Sequence, residues 1–121
     1  MEETIKALKT LRTPLITQET DLHSIIAKCL MENNIPFEKE YYLGPRSRID
    51  FLAKKQIGIE VKKEKPNNTH LKKQIKKYCK YEIITGLIIV TPWARHLNIP
   101  NEVNGKPIYI ISLNKLWGLA F

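Results

Sequence analysis

Apolar residues recur at helical spacing in three stretches of the chain. Residues 4–11 predict a short helix that ends before Pro14. In residues 20–34 the apolar side chains lie three and four positions apart, which predicts an amphipathic helix. Residues 70–81 repeat this spacing, with lysines over most of the remaining helix surface. Each of these helices is expected to bury one face against another element.

Shorter apolar runs bounded by turn residues predict strands, at residues 37–43, 47–53, 57–63, 86–91 and 107–112. The run GLIIVT at 86–91 is apolar throughout, which is typical of a strand covered on both faces. A short terminal helix is predicted over residues 112–121. The 121 residues suit one domain, placed at 18–121 after a lead-in segment at 1–17. The order of elements predicts an α/β fold with a mixed central sheet flanked by helices.

The second and third predicted strands each carry an acid among apolar residues. Because side chains alternate along a strand, Ile49, Phe51 and Ala53 are expected on one face, with Asp50 on the other. In the third strand, Glu60 lies on the face opposite to the isoleucines. Each strand therefore has one apolar face and one face that bears an acid.

A hairpin with residues 54–56 as its loop would make the two apolar faces coincide. A shift by one residue would lose this match, so we expect these pairs: Phe51 with Ile59, Ala53 with Ile57, and Asp50 with Glu60. The two carboxylates would then be direct cross-strand neighbours, with Cβ atoms about 5 Å apart.

Two carboxylates facing each other destabilise a sheet unless a positive charge compensates them. Lys62 lies on the same face as Glu60 and is one candidate. A Mg²⁺ or Mn²⁺ ion held by Asp50, Glu60 and the backbone carbonyl of Val61 is another. Such an ion activates water for phosphodiester hydrolysis, and a nearby lysine can orient that water. The alternative is a plain Glu60–Lys62 surface pair beside a solvated Asp50.

The overall charge favours a polyanionic partner. The chain has 20 lysines and arginines against 12 aspartates and glutamates, a formal net charge of +8. Nucleic acid is the first expectation and an acidic membrane surface the second, although lysines also serve solubility. The two cysteines, Cys29 and Cys79, are expected to be reduced thiols. The sequence contains neither a membrane-length apolar run nor an N-terminal apolar signal region, so a cytoplasmic protein is expected.

The segments RIDF and GIEVK, with ten residues from Asp50 to Glu60, resemble the core of the PD-(D/E)XK nuclease superfamily. The resemblance implies a restriction-endonuclease-like αβββαβ core over roughly residues 18–91. It also implies that Asp50, Glu60 and Lys62 are the catalytic residues of a Mg²⁺- or Mn²⁺-dependent deoxyribonuclease. Ile49 stands where many members have proline, a position that varies in the family.

Flanking residues extend the resemblance to the RecB-type nucleases. Gln74 and Tyr78 form Q-x-x-x-Y on one face of the helix that follows the lysine. Glu19 and His23, also four apart, stand where the superfamily often places an acid and the RecB-type members a histidine. Gln74 and Tyr78 would together reach the DNA backbone or the site, whereas Glu19 or His23 would complete the metal shell or orient a water. Glu32, Glu38 and Glu40 remain alternatives for the accessory acid.

Basic residues near the site in sequence are expected to bind phosphates of nucleic acid: Arg46, Arg48, Lys63, Lys65, Lys72, Lys73, Lys76 and Lys77. No base-reading module is evident, so the resemblance favours a structure-selective endonuclease of the Holliday-junction-resolvase type. Such resolvases are dimers, and the apolar segment 116–121 would serve either as core or as a dimer interface. The alternative is a non-catalytic nuclease-fold module that binds DNA or recruits a partner.

Overall fold

A computed structural model describes residues 1–11 and 19–113 of the chain, and the side chains of residues 19–21 lie outside this description. The described part is a mixed α/β fold in which three helices pack on a six-stranded sheet. The elements in chain order are α1 (Glu2–Leu8), α2 (Glu19–Glu32), β1 (Phe37–Gly44), β2 (Ser47–Ala53), β3 (Ile57–Val61), α3 (Asn68–Cys79), β4 (Gly86–Thr91), a 3-10 turn (Ala94–His96), β5 (Glu102–Val103) and β6 (Lys106–Ser112).

The predicted order of helix, three strands, helix and strand is the observed order from α2 to β4. Only β5, a strand of two residues, and the 3-10 turn have no counterpart in the prediction. The helix expected over residues 4–11 is observed as α1 and ends at Leu8, before Pro14. Pro14 itself and the terminal helix predicted beyond residue 113 lie outside the described residues.

The sheet has the strand order β1-β2-β3-β4-β6-β5. Strands β1, β2 and β3 form an antiparallel meander, whereas β3, β4 and β6 run parallel to one another. The parallel step from β3 to β4 requires a crossover, and α3 provides it. The central strand β4 is buried at all six positions, which confirms the prediction from its apolar run.

Buried side chains cover both faces of the sheet. One cluster joins α1 and α2 to the face that carries Phe51 and Ile59. The other packs α3 on the face that carries Leu52. Helix α1 belongs to the first cluster through Ala7 and Leu8, so the N-terminal segment contributes to the same core as α2. Cys29 and Cys79 are buried free thiols in different clusters.

The β2–β3 hairpin has the predicted register. Phe51 pairs with Ile59, and Ala53 pairs with Ile57. The turn is tight because Lys54 and Lys55 both adopt left-handed backbone conformations, with φ of 53° and 60°. A one-residue slip would exchange the two buried faces, so packing on both sides of the sheet fixes this register.

The predicted face of Ile49 is wrong. Ile49 packs in the cluster beneath α3, whereas Phe51 packs in the cluster beneath α2. Strict alternation would have put both on one face. The alternation fails at Asp50, where the neighbouring strand is distorted: Glu40 of β1 lies between the partners of Phe51 and Ile49 and has a φ of 48°. Asp50 therefore lies at an irregular point of the sheet.

Helix α3 begins at a defined cap. The side chain of Asn67 accepts a hydrogen bond from the His70 backbone N–H at 3.0 Å, which satisfies one of the free donors of the first turn. The buried stripe of the helix consists of Leu71, Ile75, Tyr78 and Cys79. Within the described ranges, no helix is long and apolar enough to cross a membrane.

Candidate active site

The candidate site lies where β2 separates from β3. The regular ladder between these strands ends at Phe51 and Ile59. At the next position the carboxylates replace backbone carbonyls as acceptors: the Asp50 N–H donates to Glu60 Oε1 at 3.3 Å, and the Val61 N–H donates to Asp50 Oδ2 at 2.8 Å. The two acids are therefore brought together as predicted, each bonded to the backbone of the opposite strand.

Glu60 is the buried member of the pair, with 6% of its side chain exposed. Its Oε2 lies 3.3 Å from Lys62 Nζ and accepts a hydrogen bond from Gln74 Nε2 at 3.1 Å. The Glu60 carboxylate is therefore held by Gln74 of α3 and by Lys62, which follows β3. The predicted proximity of Glu60 and Lys62 on one face is confirmed.

The Q-x-x-x-Y pair acts as one hydrogen-bonded unit. Gln74 Nε2 also donates to the Tyr78 hydroxyl at 3.1 Å, and that hydroxyl donates to the backbone carbonyl of Arg48 at 3.1 Å. The hydroxyl lies 3.4 Å from Glu60 Oε2. Gln74 and Tyr78 thus share one helix face, as the spacing predicted, and link α3 to both acid-bearing strands.

Burial and the neighbouring Asp50 carboxylate raise the pKa of Glu60 to about 7, although Lys62 and the Asp50 N–H act in the opposite direction. Burial, followed by the charges of Glu60 and Asp50, raises the pKa of Tyr78 above its ordinary value, so its hydroxyl stays protonated at neutral pH. The site therefore carries less charge compensation than two ionised carboxylates require.

Asp50 is more accessible than Glu60, with 24% of its side chain exposed. His23 of α2 reaches it from the other face of the sheet, with Nε2 3.8 Å from Asp50 Oδ2. The His23 ring packs against Phe51 in an edge-to-face arrangement, which orients it. Glu19, the other candidate on α2, has its side chain outside the described residues. Of the alternatives for an accessory acid, Glu40 instead forms an exposed ion pair with Arg48 at 3.7 Å.

The oxygen atoms available as ligands at the end of the β2–β3 ladder fit a small hard cation. A residue in a strand directs its N–H and C=O to the same side. Because the Val61 N–H points to Asp50, the Val61 carbonyl also faces the gap between β2 and β3. Residues 1–11 and 19–113 contain no cluster of three or more histidine, cysteine or acidic side chains suited to a metal. The available set is two carboxylates, one carbonyl and water, the kind of shell that Mg²⁺ accepts.

The predicted phosphate-binding residues lie mostly at the surface. Lys63 is half-buried, and the others are exposed: Arg46, Arg48, Lys65, Lys72, Lys73, Lys76 and Lys77. One of them also has a structural contact, since Lys77 Nζ donates to the Arg46 carbonyl at 2.6 Å. This bond joins α3 to the turn between β1 and β2, close to the Arg48 carbonyl that Tyr78 contacts.

An open cleft of about 160 Å³ adjoins the acids. The β3–α3 loop and the first turns of α3 form its walls, and the lining residues are Lys62, Lys63, Glu64, Lys65, Pro66, Asn67, His70, Leu71 and Gln74. Lys62 and Gln74 contact Glu60 and also line the cleft, so these two side chains connect the cleft to the candidate site. Its three lysines favour an anionic occupant.

The segment that supports this cleft from behind was not predicted from the sequence. The indole N–H of Trp93 donates to the Lys63 carbonyl at 2.9 Å. Asn68 donates to the His96 carbonyl at 2.9 Å and accepts from the Asn98 N–H at 2.8 Å. A tryptophan just beyond the C-terminal end of a buried strand is the signal that could have indicated this segment.

The arrangement can hold a divalent cation between two carboxylates with a lysine beside them, at a point open to a basic cleft. No protein-family model, curated protein or solved structure matches this chain, so the residues themselves carry the functional argument.

Proposed function

We propose that the protein is a Mg²⁺- or Mn²⁺-dependent DNA nuclease that is selective for DNA structure and not for base sequence. The observation that carries the proposal is the meeting of Asp50 and Glu60 where β2 leaves β3, with Lys62 Nζ 3.3 Å from Glu60. The succession from α2 to β4 supports the resemblance to the restriction-endonuclease-like core. The net charge of +8 suits a DNA substrate.

In this proposal Asp50, Glu60 and the Val61 carbonyl would hold the cation. When bound, the ion would supply an activated water and neutralise charge on the scissile phosphate. Lys62 would orient that water or donate a hydrogen bond to the phosphate oxygens as their charge grows. Gln74 would hold the Glu60 carboxylate in place, because its amide already donates to Oε2.

The exposed basic residues would bind the DNA backbone on either side of the site. Contacts of this kind give affinity that falls with added salt, and they do not read base sequence. Replacing Lys72, Lys73 and Lys76 of α3 by glutamine should therefore weaken binding to all DNA sequences alike. The slope of log affinity against log salt should also become shallower, by up to about one for each phosphate that the variant no longer binds.

Cleavage of labelled DNA tests the proposal. The panel is a four-way junction, a flap, a linear duplex, a single strand and a supercoiled plasmid, each with Mg²⁺, Mn²⁺ or EDTA. Asp50→Asn, Glu60→Gln and Lys62→Met should each lower metal-dependent cutting at least about a hundredfold. Glu82→Gln, which removes an exposed acid beyond α3, is the matched control and should cut normally. Full activity in Asp50→Asn and Glu60→Gln would refute the proposal.

One observation favours a second candidate, a non-catalytic DNA-binding or partner-recruiting module. Glu60 is already satisfied by Lys62, Gln74 and the Asp50 N–H without any cation. Calorimetric titration separates the two candidates. A nuclease should bind Mn²⁺ in a manner that Asp50→Asn abolishes, whereas the module should bind DNA with no dependence on Mn²⁺ or on Asp50.

A further inference from the structure

The loop that follows β4 presents two aromatic side chains close to the basic cleft. Trp93 is half-buried and His96 is exposed, and their ring centroids lie 5.4 Å apart. Neither side chain belongs to the two buried clusters that hold the described fold together. A large aromatic ring outside the core has contact area available for a partner.

The position of this pair is fixed by hydrogen bonds to the walls of the cleft. The Trp93 N–H donates to Thr91 Oγ1 at 3.0 Å, and its indole N–H is bonded to the carbonyl of Lys63. The Asn68 side chain holds the loop at its other end by bonding to both His96 and Asn98. The Trp93 ring is thus anchored next to Lys63, a lining residue of the cleft, and the backbone of His96 is anchored through Asn68.

The charges around the pair suit a nucleotide. Lys62, Lys63 and Lys65 line the cleft against a single acid, Glu64, and Arg95 is exposed between the two aromatic residues in the sequence. Proteins bind single-stranded nucleic acid by combining a basic groove with aromatic rings, because the basic side chains bind the phosphates and the bases stack on the rings. In a continuous duplex the faces of the bases are stacked on one another and cannot reach a protein side chain.

We infer that Trp93 stacks on an unpaired base of the substrate, with the tilted His96 ring against the edge of that base, while Lys63 and Lys65 bind its phosphate. This inference rests on the proposed nuclease function and names its substrate class. The enzyme acts where unpaired nucleotides adjoin the scissile phosphate, as in flaps, frayed ends and overhangs. A four-way junction in which every base is paired is accordingly a poorer substrate than a flap.

Binding in EDTA tests the stacking surface without cleavage. Fluorescence anisotropy compares an oligothymidylate single strand with a duplex of the same length. Trp93→Ala should weaken single-strand binding about tenfold and duplex binding less than about twofold, since stacking is worth roughly that much per base. His96→Ala, which keeps the backbone carbonyl that Asn68 contacts, should show a smaller loss of the same kind. The matched control is Tyr42→Ala, which removes an exposed aromatic from β1, at the far edge of the sheet from β4.

A second variant separates stacking from support of the loop. Trp93→Phe keeps an aromatic ring but loses the indole bond to Lys63, so it should retain single-strand affinity within about threefold. The indole fluorescence that a single strand quenches in the natural protein should be lost in this variant. If Trp93→Phe is as defective as Trp93→Ala, or if quenching is unchanged in Trp93→Phe, the stacking assignment is overturned.

Cleavage in Mg²⁺ separates this inference from the proposed function. Preferential cutting of the flap, lost in Trp93→Ala, supports both. Equal cutting of flap, junction and duplex that Trp93→Ala leaves unchanged overturns the stacking surface and leaves the nuclease standing. No cutting of any substrate, together with single-strand binding that depends on Trp93, supports the stacking surface and overturns the nuclease.

Discussion

Replacing Glu60 by glutamine tests how the acid pair affects stability. Burial and the Asp50 charge raise the pKa of Glu60 from 4.5 to about 7. A glutamine keeps the size of the side chain and removes its titration. The comparison of the two proteins therefore isolates the cost of ionising one carboxyl group inside the site.

The sign of the effect follows from proton linkage. Below pH 4.5 the group is protonated in both the folded and the unfolded chain, and it contributes nothing to the pH dependence. Between pH 4.5 and 7 the unfolded chain releases the proton while the folded chain retains it, so the free energy of unfolding falls with rising pH. The slope approaches about 1.4 kcal/mol per pH unit, and the loss totals about 3 kcal/mol at pH values above the folded pKa.

Urea denaturation in EDTA, followed by far-ultraviolet circular dichroism from about pH 4 to about pH 9, measures this loss. The stability of Glu60→Gln relative to the natural protein should rise by about 3 kcal/mol between about pH 4.5 and about pH 8. Glu82→Gln, with an exposed side chain, is the control and should shift stability by less than about 0.5 kcal/mol. Parallel pH profiles for the natural protein and Glu60→Gln would refute the reasoning.

Adding metal extends the same experiment. A cation between Asp50 and Glu60 would compensate both charges, so Mg²⁺ at about pH 8 should stabilise the natural protein by RT ln(1 + [Mg²⁺]/Kd). Glu60→Gln should gain far less. An equal gain in both proteins, or the same gain from potassium chloride of matched ionic strength, would show that the cation acts elsewhere.

Three further substitutions test the packing that positions the site, each by urea denaturation near pH 6. Gly58→Ala should lower the free energy of unfolding by about 1–3 kcal/mol, because the added Cβ would clash with Ile49 Cδ1 and lie 2.7 Å from Leu87 Cδ2. An unchanged urea midpoint would mean that these two side chains move aside. Asn67→Ala should cost about 1 kcal/mol through loss of the α3 cap, whereas Asn67→Asp should restore most of it. Tyr78→Phe should cost about 1 kcal/mol by removing the hydroxyl bonded to the Arg48 carbonyl, and a neutral result would argue against that bond.

The sequence was sufficient to predict the pairing of the two acids. The apolar residues of β2 and β3 match in one register only, and that register brings Asp50 next to Glu60, where each carboxylate accepts a hydrogen bond from the opposite strand. The four-residue spacing of Gln74 and Tyr78 likewise places them together on any helix. Local periodicity determines both results.

The unpredicted features depend on contacts between distant segments. The face of Ile49 changes because β1 is distorted at Glu40, and no pattern within β2 indicates this. The bond from Trp93 to Lys63 spans 30 residues and requires β4 to lie parallel beside β3. His23 was expected near the site from the family resemblance alone, because its contact with Asp50 depends on how α2 crosses the sheet, which amphipathic spacing leaves open.

The exchange of hydrogen bonds at the end of the β2–β3 ladder has a spectroscopic consequence. The Val61 amide donates a hydrogen bond to a carboxylate oxygen of Asp50, and a metal ion in the site would coordinate the same oxygen. Occupation of the site would draw this oxygen away and change both the chemical shift of the Val61 amide and its rate of hydrogen exchange. A single backbone resonance, far simpler to follow than a cleavage reaction, thus reports whether the two strands are joined by their own carboxylates or by a cation.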